Sequence, residues 1–119
     1  MFEKYTYRII WSDEDGEYVG LCAEFPSLSW LSSTQDGAFK GIRNLVKDVI
    51  KDLKKDKEPL PESLSAKRYS GKFVVRVPPD LHRELVIEAN EAHISLNRYV
   101  SDKLASRNAI STRHRKEAG

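Results

Sequence analysis

Gly71-Lys72-Phe73-Val74-Val75-Arg76-Val77-Pro78-Pro79-Asp80-Leu81-His82 is the stretch whose reading decides the fold. Residues 72–77 combine β-branched and aromatic side chains and end at two prolines, which predicts a single strand. Asp80-Leu81-His82 opens a helix whose Leu81, Leu85, Val86, Ala89 and Ala92 share one side. Ser95 caps a second helix in which Leu96, Tyr99, Val100, Lys103 and Leu104 keep the same period. One strand followed by two helices leaves the strand's backbone groups without partners, and about 35 residues bury too little apolar area to fold alone. The economical solution is a two-stranded antiparallel ribbon built from two copies of the chain, with four helices beneath it. Alternation assigns Phe73, Val75 and Val77 to the helix-facing side and Lys72, Val74 and Arg76 to the exposed side.

Such a ribbon fits the major groove of DNA, about 12 Å wide. Arg76 matches guanine bidentately, Lys72 reaches a guanine acceptor or a phosphate, and Val74 suits a thymine methyl. Ser95, Leu96 and Asn97 start a helix whose free amides and dipole favour a phosphate.

Upstream, Tyr5 to Trp11 reads as a strand, Ser12-Asp13-Glu14-Asp15-Gly16 as a hairpin turn, and Glu17 to Ala23 as the returning strand. Phe25-Pro26-Ser27 breaks the pairing, and Leu28–Ser32 is a short third strand. Ser33 or Thr34 then caps a helix of roughly five turns, with Asp36 in its first turn. Its stripe is Ala38, Phe39, Ile42, Leu45, Val46, Val49, Ile50 and Leu53. Lys47, Lys51, Lys54 and Lys55 complement its dipole, and Pro59 and Pro61 stop it. The fold class is therefore α+β. A first domain spans 1–62, residues 63–70 are a linker or a fourth, edge strand, 71–106 form the second domain, and 107–119 are a basic tail.

At 119 residues the chain holds one modest domain or two very small ones. Its single cysteine excludes an internal disulfide framework and a cysteine-based zinc site, and fits a reducing cytoplasm. No apolar run approaches the roughly 18 residues of a membrane span, and the start lacks the order of a secretion signal. The net charge of +2 is uneven: −5 over residues 1–38, +4 over 39–71 and +3 over 72–119. An acidic front suits a basic protein partner, and a basic back suits nucleic acid. Asp13, Glu14, Asp15 and Glu17 crowd one turn, lacking the spread a metal site needs. Neither catalysis nor a cofactor is indicated.

Gly71 to His82, followed by Ser95-Leu-Asn-Arg-Tyr-Val100, resembles the ribbon-helix-helix fold of the Arc/MetJ repressors and, more closely, the C-terminal domain of HicB antitoxins. The acidic hairpin, the Phe-Pro turn, the Thr-initiated helix and the Lys67-Arg-Tyr-Ser-Gly-Lys-Phe73 junction are also similar to HicB. The resemblance implies an N-terminal domain like a truncated ribonuclease H fold, without catalytic carboxylates, that covers a HicA-like toxin, a small basic mRNA-cleaving protein. It implies a C-terminal domain that dimerises, or assembles further, and represses its own operon. Carried over, the base readers are Lys72, Val74 and Arg76, and the phosphate clamp is Ser95-Leu96-Asn97. Trp11, Asp13, Asp15, Glu17, Glu24 and Trp30 are the candidate toxin-facing residues. The chain departs from the family at His93, where glycine is usual, and at Pro26-Ser27-Leu28, where Pro-Gly-Cys is common. Two other classes compete: a ribbon-helix-helix regulator whose N-terminal domain senses a small molecule, and a domain that retains nuclease activity.

Overall fold

The computed structural model describes residues 2–107, which divide into two compact units at the Gly71–Lys72 junction. Together they make an α+β chain with one three-stranded antiparallel sheet and three long helices. Apart from Arg107, the expected basic tail lies outside the described residues.

In the first unit β1 (Tyr7–Ser12) pairs with β2 (Glu17–Cys22), which pairs with β3 (Ser29–Ser32). Tyr7 lies opposite Cys22 and Trp11 opposite Tyr18, while Gly20 lies opposite both Ile9 and Trp30. The Asp-Gly signal works as expected. The Gly16 amide donates to the Ser12 carbonyl at 2.8 Å, and Gly16 takes the φ of +64° that β-carbon-bearing residues resist.

Of the two expected caps for α1 (Gln35–Lys55) it is Thr34 that serves, its hydroxyl accepting from the Gly37 amide at 3.0 Å. Ala38, Ile42, Val46 and Ile50, each four residues apart, are the buried ridge of the helix. Ile42, Val46 and Ile50 meet Tyr5 and Cys22 in the core, with Phe2, Tyr7, Phe25, Leu28, Leu45 and Leu60 packed around them. Full burial of a side chain such as Ile42 stabilises by about 1.5–3 kcal/mol. Gly41 lets the Trp30 indole approach the helix closely, because a β-carbon there would collide with the ring.

The helix stops before either proline. Lys57 adopts φ +57°, its amide donates to Lys54, and the Glu58 amide donates to the Leu53 carbonyl at 2.8 Å. That pair of bonds is a Schellman ending, formed without glycine.

Residues 64–69 are not a strand. They begin with a turn over 64–66 and belong to the first unit. Ser63 donates to the Lys4 carbonyl, Tyr5 to the Pro61 carbonyl at 2.6 Å, and Tyr69 to the Leu64 carbonyl at 2.7 Å.

The second unit contains α2 (Pro79–Glu91), with proline at its first position, and α3 (Leu96–Ser106). Their turn repeats the earlier ending. His93 has φ +59° and donates to Asn90, and Ile94 donates to the Ala89 carbonyl, both at 3.1 Å. The histidine therefore takes the left-handed conformation itself in place of glycine. Tyr99 ties the helices together by donating to Glu88 at 3.2 Å. Residues 72–77 join no sheet among the described residues.

Candidate nucleic-acid and partner interfaces

The segment carrying Lys72, Val74 and Arg76 is exposed throughout, with Val74 89% and Phe73 74% accessible. Beside it lies an apolar groove of about 700 Å³, bounded by Val75, Val77, Leu81, Leu85, Val100 and Leu104 among others. Arg76 and Lys103 edge the same groove. Only Ala89 is buried among the described apolar residues of this unit. Exposing this much valine, leucine and phenylalanine opposes a free-standing unit, since each such side chain gains about 1.5–3 kcal/mol from burial.

Ser95 caps α3 by accepting from the Arg98 amide at 3.1 Å. The amides of Leu96 and Asn97, in the first turn, have no intrahelical acceptor. The Leu96 side chain turns into the groove, so its amide and its side chain serve different surfaces. Ser95, Leu96 and Asn97 thus stand as a helix start able to receive an anion.

The candidate toxin-facing residues separate into three places. Trp11 donates to the Asp13 carboxylate and packs edge-on against Tyr18, ring centres 5.0 Å apart. Asp15 accepts from the Ser12 hydroxyl at 3.0 Å. With Glu17 at the start of β2, these residues form one acidic, aromatic tip, where Trp11 is 51% exposed. Trp30 lies apart, on β3 against Gly41, and is 45% exposed.

Glu24 corrects the expectation. It lies beyond the far end of β2 from the tip and is buried, with 9% exposure. One carboxylate oxygen accepts from the Thr6 amide at 2.8 Å. The other accepts from the Leu64 amide at 2.8 Å and the Thr6 hydroxyl at 3.1 Å. Burial works against its charge, but the hydrogen bonds from Thr6 and Leu64 outweigh it and hold the carboxyl below its ordinary value. Its side chain is a structural tie, fully used inside the unit. The Cys22 thiol sits 3.5 Å from the same carboxylate, and burial pushes its pKa up.

Two surfaces escape sequence reading. On the sheet face away from α1, Ile10 and Leu31 are exposed on either side of Val19, making an apolar strip across all three strands. Strict alternation would have placed these three residues on one face. The other surface is a line of cations along α1. Among the described residues no three His, Cys, Asp or Glu side chains gather as a metal site would require, and no helix is long and apolar enough to cross a membrane.

Among known proteins, residues 57–104 match the HicB family. The match covers α2, most of α3 and the approach to them, and leaves the sheet and all of α1 outside. No curated protein and no solved structure matches the chain.

Proposed function

We propose that this chain is an antitoxin that binds and neutralises a small HicA-like, RNA-cleaving toxin and represses its own operon by binding operator DNA as a dimer. The observation that carries this reading is the open core of the second unit, where an extended basic segment and two helices present an apolar groove. A second copy would cover that groove and supply the missing strand partner, giving a ribbon-helix-helix dimer. Lys72, Val74 and Arg76 would then face the major groove, and the amides at Ser95–Asn97 would hold flanking phosphates. The HicB match over residues 57–104 supports the same assignment.

The first unit, whose sheet and single helix suit a truncated ribonuclease H-like layer, would take the toxin. Its acidic tip at Trp11, Asp13, Asp15 and Glu17 complements a basic partner, and Trp30 adds an exposed aromatic anchor. The role is binding, with no catalytic step assigned to any residue.

A gel-shift titration tests the DNA half. Arg76→Ala is expected to cost about 1–3 kcal/mol of specific operator affinity. Unchanged binding would remove the ribbon assignment. For the toxin half, charge reversal at Asp13 and Asp15 in the full chain should abolish co-purification with the co-expressed toxin and leave operator binding intact. Retained co-purification would move the toxin site elsewhere.

A further inference from the structure

One side of α1 carries the exposed Lys40, Lys47, Lys51 and Lys54 and the half-buried Arg43. At 3.6 residues per turn these five fall within an arc of about 80° and extend about 21 Å along the axis. Helix-dipole complementation accounts for Lys54 in the last turn; it does not account for Arg43 and Lys47 in the middle. These two are held in place by aromatic rings. The Arg43 guanidinium lies 5.4 Å from the Phe2 ring centre and 5.3 Å from that of Phe39, and the Lys47 ammonium lies 5.9 Å from Phe2. Between them is a hollow of about 270 Å³ lined by Phe2, Lys40, Arg43, Asn44 and Lys47. The neighbouring acids do not cancel the stripe. Asp36 pairs with Lys40 at 2.9 Å, Glu3 is close enough to Arg43 for the two charges to attract, and Asp48 and Asp52 fall to one side of the arc.

We propose that this stripe is a second nucleic-acid surface, one that docks the sugar–phosphate backbone of duplex DNA without reading sequence. A strand of duplex passes about six phosphates over 21 Å, enough to engage every cation of the line. The hollow offers one phosphate Arg43, Lys47 and the Asn44 amide, with Lys40, paired to Asp36, at its edge. Duplex is favoured over single strands because unpaired bases need open ring faces to stack on, and here the rings of Phe2 and Phe39 are capped by Arg43 and Lys47. The proposal does not depend on the reading of residues 72–77.

The experiment uses the full chain carrying Lys72→Gln and Arg76→Gln, so that the proposed ribbon contributes little. Binding to a short fluorescein-labelled duplex of arbitrary sequence is followed by anisotropy over a salt series. Adding Arg43→Gln, Lys47→Gln and Lys51→Gln is expected to flatten the plot of log affinity against log salt by about 2.7 per bound chain. A control with the same change in charge, Lys4→Gln, Lys67→Gln and Arg68→Gln, should leave that slope in place. Circular dichroism checks the fold, and Lys47→Gln alone should still lower the slope by about 0.9. No duplex binding in the starting variant, an unchanged slope, or an equal loss in the control would each overturn the proposal. So would duplex binding that survives while binding to polyglutamate is lost, which would assign the stripe to an acidic protein.

Discussion

Replacing Glu24 by glutamine removes one negative charge and one acceptor at the point where three distant pieces of the first unit meet. In the native carboxylate the Thr6 amide and the Leu64 amide bond to different oxygens, each at 2.8 Å. Glutamine keeps one oxygen and puts an NH₂ group in place of the other, so one amide must face a donor. Leaving a donor unsatisfied in this buried position costs about 1–3 kcal/mol. The surviving bond loses its charge assistance, which costs roughly 1 kcal/mol more. The expected destabilisation is about 2–4 kcal/mol, a large part of the 5–15 kcal/mol typical of a domain. Both tryptophans lie in this unit, so urea unfolding of the full chain followed by tryptophan fluorescence reads it directly. Amide exchange at Thr6 and Leu64 should quicken well beyond that of the β1–β2 hairpin. A variant within about 0.5 kcal/mol of the native protein, with unchanged protection at Leu64, would refute the reasoning.

The same tie has a pH signature. The carboxyl is depressed from its ordinary 4.5, so its contribution is complete above that value and drains away as pH falls through the lower folded value. Glu24→Gln should flatten that part of the acid-stability profile, and an identical profile in the variant would contradict the tie. His93→Gly should stabilise the second unit by roughly 1 kcal/mol, since a β-carbon at φ +59° is costly and the extra freedom of glycine in the unfolded chain offsets only part of the gain. Thermal melting of α2 and α3 by circular dichroism checks this. The Cys22 thiol, 2% exposed and with its pKa raised by burial, should resist a disulfide reagent until the chain unfolds. Rapid labelling of native protein would show that the core opens.

Local chemistry made much of this fold legible. The strands, the Asp-Gly turn, the caps at Thr34 and Ser95 and the buried ridge of α1 each depend on residues within a few positions of one another. What stayed hidden depends on long sequence separation or on a broken rule. Glu24 read as a surface acid because its partners Thr6 and Leu64 lie 18 and 40 residues away. Pro59 and Pro61 mark the end of α1 in the sequence, whereas the left-handed stop at Lys57 leaves no such mark because lysine is an unusual residue there. The lysines of α1 read as dipole complement because the role of Phe2, brought beneath Arg43 and Lys47 by the tertiary fold, leaves no mark in the helix's own sequence. The candidate DNA segment is legible as a motif, yet among the described residues it pairs with no strand.

Pairing of residues 72–77 between two copies of the chain is the central claim of the proposed function. In a half-labelled, half-unlabelled sample, filtered nuclear Overhauser spectra should show backbone contacts between residues 72–77 of one molecule and 72–77 of another. Sedimentation of the same sample at micromolar concentration should give twice the 13.6 kDa chain mass. A species of 13.6 kDa whose 72–77 amides bond only within their own chain would contradict it.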